Sequence, residues 1–224
     1  MFKFWRNTVL VTGILALVLM FATVRVRADD IPEPVINWAE ANVVDITLPN
    51  GGGSGWFYKH NIVITACHVV DNGGGAVLLS QEGSKVKYVA EVIACNKVLD
   101  LAILKLNGTF PDTLRTVLAK KNPRTGKTVY GTGYPVGLPL LIFDGHWQRK
   151  STWESGHYIT SAHTLPGDSG SPLLIFKDGE VKVVGVRTGM LSVKKGKGLG
   201  DGLFPSIGFV VDLPVLRRFL NENI

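Results

Sequence analysis

The sequence of 224 residues lacks an internal repeat, a long run of like charges and the glycine triplet period of collagen. These absences exclude a solenoid, a charged interaction tail and a collagen-like rod. Nor is the sequence poor in apolar residues, since 46% of its residues are hydrophobic and only 19% are charged. An intrinsically disordered chain shows the opposite balance, so the composition predicts a globular protein.

The excess of positive charge is concentrated at the start of the chain. The formal net charge is +6, but four basic residues and no acidic residue lie within residues 1–28. Removing these four from the 24 basic residues leaves 20, against 18 acidic residues. That near balance gives no electrostatic reason to bind DNA or RNA, so we expect no nucleic-acid partner.

Residues 1–28 have the pattern of an export signal or a membrane anchor. A mostly apolar stretch, residues 9–24, lies between two pairs of basic residues. Its sixteen residues are longer than the apolar part of a typical export signal and shorter than a typical membrane-spanning helix. Ala28 would suit signal peptidase and give Asp29 as the mature start, whereas the basic residues after the apolar stretch favour a retained anchor. In both cases we expect residues 29–224 outside the cytosol, secreted or held at a membrane through residues 1–28.

Short β-prone segments separated by turn residues dominate the rest of the chain. Their spacing of roughly 8–12 residues favours an all-β sandwich or barrel over a parallel α/β sheet. The glycine-rich residues 51–55 are predicted to form a turn, and Pro214 and Asp212 mark the start of one helix at the end of the chain. The predicted strands form two similar halves, divided near residues 107–127: 43–48, 56–58, 62–65, 76–79, 86–93, 101–106, 128–131, 140–143, 158–161, 173–176, 181–186 and 207–211.

Three short strings carry residues suited to nucleophilic catalysis. His68 follows an apolar strand, Asp100 precedes another, and Ser169 lies between glycines just before a third. Serine is a weak nucleophile that needs an imidazole to accept its proton and a carboxylate to orient the imidazole. Each residue alone is also compatible with a structural role. It is their order along the chain that predicts a catalytic site.

These strings resemble the catalytic signatures of the chymotrypsin-like (trypsin-fold) serine endopeptidases. Residues 53–57 (Gly-Ser-Gly-Trp-Phe) and 100–105 are most similar to the HtrA-like and glutamyl-endopeptidase-like branches, and residues 208–211 to the HtrA branch. The resemblance implies an all-β fold of two antiparallel six-stranded β-barrels with the site between them. The barrels would span about residues 40–115 and 128–212, followed by a helix at 213–222 and no PDZ domain.

The resemblance also implies the roles of individual residues. His68 becomes the general base, Asp100 its orienting partner and Ser169 the nucleophile, with the N–H groups of Gly167 and Ser169 as the oxyanion hole. The substrate would be a protein or peptide, and no cofactor is expected.

The remaining histidines are not spaced as metal ligands, so no metal site is expected. No activation sequence precedes the body, so Asp168 must find a partner other than a new amino terminus.

A substrate-binding pocket follows from the same resemblance. It would be lined by His163 and Thr164 on one side and by Arg187 on the other, with Thr188 and Gly189 offering a strand edge to the peptide. An arginine facing this pocket would pair with a carboxylate, which predicts a preference for Glu, Asp or a polar residue such as Gln. The alternative is that Arg187 faces solvent.

Three further alternatives concern the cysteines and the function. Cys67 and Cys95 are expected as two buried free thiols, with a disulfide as the alternative, because an extended chain would place Cys95 roughly 16 Å from Asp100 at ~3.3 Å per residue. An inactive protease-fold binding module is the first rival to a peptidase. An esterase with the same residues is the second, although its usual nucleophile elbow is absent.

Overall fold

A computed structural model describes residues 30–49, 51–71, 76–84, 86–108, 113–152, 156–193 and 202–224. The expected export signal or anchor at residues 1–28 lies outside these ranges. Within them, no helix is both long and apolar enough to cross a membrane. Residues 32–224 make up one structural unit.

In the described ranges, twelve antiparallel strands form two closed barrels, as the family resemblance implied. The strand order is β1-β2-β3-β6-β5-β4 in the first barrel and β10-β11-β12-β9-β8-β7 in the second. The first barrel contains β1 (Val43–Leu48), β2 (Gly51–Lys59), β3 (Ile62–Thr65), β4 (Ala76–Ser80), β5 (Tyr88–Asn96) and β6 (Leu101–Leu106). The second contains β7 (Thr128–Gly133), β8 (Leu141–Lys150), β9 (His157–Thr160), β10 (Pro172–Lys177), β11 (Glu180–Val193) and β12 (Gly202–Asp212).

The helices within the described ranges are short. They are α1 (Glu33–Asn42), α2 (Cys67–Val70) and α3 (Leu213–Asn223), with a 3₁₀ turn at Pro135–Gly137. The predicted start of α3 is confirmed, because Asp212 Oδ1 accepts a hydrogen bond from the Val215 N–H at 3.1 Å. Helix α1 was not predicted. Its Trp38 is buried and donates to the Arg115 carbonyl at 3.4 Å.

Each barrel has its own apolar core. The first core includes Phe57 and Leu104, and the second includes Trp147 and Leu173, all at most 1% exposed. Burying one such side chain contributes about 1.5–3 kcal/mol, so two filled cores hold the strand ends in fixed positions. The loops at those ends carry the candidate site residues.

The prediction that residues 51–55 form a turn is wrong. They begin β2 and pair with β1, from Leu48 opposite Gly51 to Val44 opposite Gly55. A Cβ at Gly55 would lie 2.8 Å from Val63 Cγ1, so a side chain there would disturb the core. Gly52, Gly53 and Gly55 thus serve a close approach inside the sheet, whereas a Cβ at Gly51 would meet nothing within 4 Å.

Candidate active site

His68 and Asp100 form a closely coupled pair. His68 lies in α2, directly after β3, and Asp100 ends the turn between β5 and β6 with φ 53°. The Asp100 Oδ2 atom lies 2.7 Å from His68 Nδ1, and Oδ1 accepts from the His68 backbone N–H at 2.9 Å. Because an ionised carboxylate can only accept, Nδ1 must carry a proton, which leaves Nε2 of a neutral imidazole free to act as a base.

The charge of Asp100 is stabilised by the same contacts. Partial burial by itself raises the pKa of the carboxyl, but the side-chain and backbone hydrogen bonds from His68, together with its charge, outweigh burial. The net result is a pKa below the ordinary value of 3.8, so Asp100 remains a carboxylate at neutral pH.

Cys67 and Cys95 form a disulfide, so the prediction of two free thiols is wrong. The estimate of their separation assumed an extended chain after Cys95. In fact the chain reverses at once, and β5 pairs with β6, which puts Cys95 opposite Ala102. Thr65, at the end of β3, lies opposite Ala102 from the other side, and the two cysteine Cα atoms are 5.2 Å apart. The bond therefore ties the segment that carries His68 to the strand that leads to Asp100.

Ser169 lies in a tight turn between β9 and β10 that packs against the end of β3. Gly170, at φ 88°, comes so close that a Cβ there would lie 2.7 Å from the Ala66 backbone nitrogen, two residues before His68. The Ser169 hydroxyl donates to the Thr188 carbonyl at 3.4 Å. The second barrel thus presents Ser169 to the part of the first barrel that carries His68 and Asp100.

A family model for the trypsin-like peptidase domain matches residues 53–186, which include all three of these residues. This chain belongs to the trypsin-like peptidase family. Similar curated proteins include the mitochondrial protease Do-like 4 of Arabidopsis thaliana, 27% identical over 84% of the chain, and the serine protease Do-like HtrA of Bacillus subtilis, 27% identical over 67%. The chain spans about a third of their lengths, 34% and 36%.

Solved structures support the same fold. The active form of the Rv3671c protease from M. tuberculosis is 24% identical, with a TM-score of 0.67 over 85% of this chain and 84% of that one. The serine endoprotease from Yersinia pestis is 18% identical, with a TM-score of 0.69 over 87% of this chain and 68% of that one. At these identities the likeness is one of fold.

Within this trypsin-like domain, Asp168 finds its partner in Arg187. Asp168 Oδ2 lies 3.0 Å from Arg187 Nη2, and the two side chains are 1% and 0% exposed. The guanidinium also donates to the carbonyls of Thr132, at 3.0 Å, and His163. Arg187 therefore neither faces solvent nor presents a free guanidinium to a substrate, and both expectations for it are corrected.

The buried ion pair sets the charges next to the nucleophile. Complete burial lowers the pKa of Arg187, and the Asp168 carboxylate opposes this effect. Burial raises the pKa of Asp168, which the charge of Arg187 and the Leu165 N–H oppose. The ordinary pKa of arginine is so far above neutral pH that Arg187 stays protonated. Its positive charge is therefore fixed next to Asp168, the residue before Ser169.

The other predicted pocket residues differ in how accessible they are. His163 is exposed, with its ring 5.8 Å from that of Phe143, whereas Thr164 is buried and donates to the Ala162 carbonyl at 3.2 Å. Thr188 is 8% exposed, and a Cβ added at Gly189 would meet open space. Gly189 pairs with β12 on one side.

Ser54 is a residue for which the sequence predicted no role. It lies among glycines, and its N–H donates a hydrogen bond to the Ser169 carbonyl at 2.8 Å.

No group of three or more His, Cys, Asp or Glu side chains in the described ranges is arranged to hold a metal ion.

Proposed function

We propose that this chain is a serine endopeptidase that cleaves peptide bonds through an acyl-enzyme on Ser169. The observation that carries the proposal is the two-point contact between Asp100 and His68, which leaves the imidazole oriented with Nε2 free. A carboxylate that accepts from both the ring and the backbone of one histidine holds it in a single tautomer and direction. This arrangement favours general-base catalysis by a neutral imidazole, because it fixes the tautomer and stabilises the imidazolium that forms.

The reaction follows from the positions of these groups. The Ser169 hydroxyl turns from the Thr188 carbonyl towards His68 Nε2, gives up its proton and attacks the substrate carbonyl carbon. The N–H groups of Gly167 and Ser169 stabilise the negative oxygen that develops. The imidazolium then gives its proton to the leaving amine as the C–N bond breaks, and a water molecule, activated by the same imidazole, hydrolyses the ester.

We expect a protein or peptide substrate that lies extended beside β11, at Thr188 and Gly189. The open space around Gly189 supports this placement, because a substrate backbone must approach closely to bond to a strand edge. Peptide cleavage under these conditions needs no cofactor, since the proton transfers are carried by His68 alone.

We still propose that cleavage is preferred after an acidic or polar residue, but that a side chain other than Arg187 binds this residue. The Arg187 guanidinium is occupied by Asp168, so the exposed imidazole of His163 is the group that could donate to a carboxylate or amide. Profiling a peptide library with the wild type and His163→Ala tests this. Loss of cleavage after Glu, Asp and Gln in the variant supports it. Cleavage after Lys, Arg or Phe that His163→Ala leaves unchanged contradicts it.

The experiment that tests the main proposal separates a peptidase from an inactive binding module. A fluorophosphonate probe should label the wild type and leave Ser169→Ala unlabelled, and peptide hydrolysis should fall roughly 10⁴–10⁶-fold in the variant. Ser80→Ala is a matched control, because it removes a hydroxyl that bonds Asp45 on the first barrel. An unlabelled wild type, or a Ser169→Ala variant that keeps a few per cent of the activity, would overturn the assignment.

We also propose that residues 29–224 act outside the cytosol. The Cys67–Cys95 disulfide supports this, because such bonds persist mainly in oxidising compartments. Cell fractionation with sequencing of the mature amino terminus distinguishes a cleaved signal, starting at Asp29, from a retained anchor. Full-length protein in the soluble cytosolic fraction would contradict both.

A further inference from the structure

Every carbonyl oxygen from residue 166 to residue 169 accepts a hydrogen bond from a defined donor. The Pro166 carbonyl accepts from the Val136 N–H at 2.9 Å, and the Asp168 carbonyl accepts from the Ser171 N–H at 3.1 Å. The two remaining carbonyls, of Gly167 and Ser169, both accept from Ser54: the first from its hydroxyl at 2.7 Å and the second from its N–H at 2.8 Å.

These bonds determine where the oxyanion donors point. In a planar trans peptide the C=O and the following N–H point in opposite directions, so fixing one fixes the other. The Pro166 and Asp168 carbonyls thereby orient the N–H groups of Gly167 and Ser169. The peptide plane between those two donors carries the Gly167 carbonyl, which accepts from the Ser54 hydroxyl, and the Asp168 N–H, which donates to the Leu165 carbonyl at 3.0 Å.

Ser54 is well placed to act as a fixed support. It belongs to β2 of the first barrel, is 0% exposed, and its hydroxyl also accepts from the Tyr134 N–H at 2.9 Å. Its own carbonyl accepts from the Thr65 hydroxyl at 2.7 Å. The Ser54 Oγ atom is thus held between a donor and an acceptor of the second barrel, where a change of rotamer would break both hydrogen bonds and leave the buried Tyr134 N–H without this partner.

We infer that Ser54 is a positioning residue that sets the relative orientation of the two oxyanion donors, and this inference rests on the proposed peptidase function. Ser54 does not touch the reacting atoms. Its hydroxyl acts through the Gly167–Asp168 peptide, and its N–H acts through the Ser169 carbonyl. Its effect should therefore fall on the transition state, in which the oxyanion forms, and not on binding of the ground-state peptide.

The test compares Ser54→Ala with Ser54→Thr in the full chain, with the active fraction counted by fluorophosphonate labelling. Removing an oxyanion donor outright costs about 10²–10³ in kcat, so misaligning the donors in Ser54→Ala should lower kcat about 10–100-fold and change KM by less than about twofold. A peptide aldehyde, which forms a tetrahedral adduct, should lose affinity by a similar factor, while the matching peptide alcohol should not. Ser54→Thr keeps the hydroxyl and should recover most of kcat.

Thr65→Val provides the matched control, because it removes another buried hydroxyl bond to Ser54 and leaves the Gly167 contact in place. We expect a loss of thermal stability in Thr65→Val with kcat within about twofold of the wild type. If Ser54→Ala does not fold, Ser54→Cys takes its place, because a thiol is a weak donor of nearly the same shape.

Two results would overturn the inference. One is an unchanged kcat in Ser54→Ala, and the other is an equal loss of kcat in Thr65→Val, which would indicate a general effect on stability. Either result, with a wild type whose hydrolysis depends on Ser169, leaves the proposed function standing. A wild type without Ser169-dependent hydrolysis or labelling would instead refute the proposed function and the inference that rests on it.

Discussion

Replacing Arg187 with methionine should strongly destabilise the second barrel. Methionine fills much of the same space but removes the positive charge and all three guanidinium hydrogen bonds. The Asp168 carboxylate, 1% exposed, would then be buried without its counter-charge. The carbonyls of Thr132 and His163 would lose their donors at the same time.

The expected magnitude follows from this loss. Removing one partner of a buried ion pair typically costs about 3–5 kcal/mol, because the other charge is left uncompensated. A domain has about 5–15 kcal/mol of stability in total, so this cost would be a large fraction of it. The double variant Asp168→Asn/Arg187→Met leaves no lone charge and should recover part of the loss.

Urea unfolding at low temperature, followed by tryptophan fluorescence, measures the free energy of unfolding of the wild type and the two variants. Peptide hydrolysis should also fall in Arg187→Met, since Asp168 directly precedes the nucleophile. A cost below about 1 kcal/mol would refute the reasoning, because it would mean that the carboxylate is not desolvated in the folded protein. A double variant less stable than Arg187→Met would refute it as well.

Two further predictions concern the first barrel. Cys95→Ser should lower the free energy of unfolding by about 3.5 kcal/mol, the loop-closure value for the 28-residue separation of Cys67 and Cys95, and a thiol assay on the denatured, unreduced wild type should detect no free thiol. Because the folded pKa of Asp100 lies below its unfolded value of 3.8, its contribution to stability is complete above that value and is lost as the pH falls through the folded pKa. Urea unfolding from pH 5 downward should show a shallower loss in Asp100→Asn than in the wild type, and equal slopes would contradict the assignment.

The sequence predicted the strands best where a strand is short and mostly apolar. Strands β1, β3 and β6 have the predicted bounds, Val43–Leu48, Ile62–Thr65 and Leu101–Leu106. Strands β8 and β11 run on to Lys150 and Val193, well past the predicted ends. Their extensions carry mixed polar residues, which give no apolar signal even though the backbone pairing continues.

Helix α1 was missed because its sequence signal is weak and its packing is tertiary. In the segment Glu33–Asn42 the apolar stripe is short: Val35, Trp38 and Ala39 lie one turn apart and are buried. Trp38 reaches the Arg115 carbonyl, 77 positions away along the chain. That contact leaves no trace in local periodicity, but the i, i+3, i+4 spacing of Val35, Trp38 and Ala39 is a local helix signal that the prediction did not use.

The sequence left two matters unsettled that have a single physical answer. Asp168 needed a partner other than an amino terminus, and Arg187 was expected to point either to a substrate or to solvent. An unpaired arginine or carboxylate inside a barrel would be costly, so each of the two side chains can be buried only together with the other. Together they neutralise each other at 3.0 Å, with both side chains at most 1% exposed. The positive charge of Arg187, which was expected to bind substrate, instead pairs with Asp168 and stabilises the turn that carries Ser169.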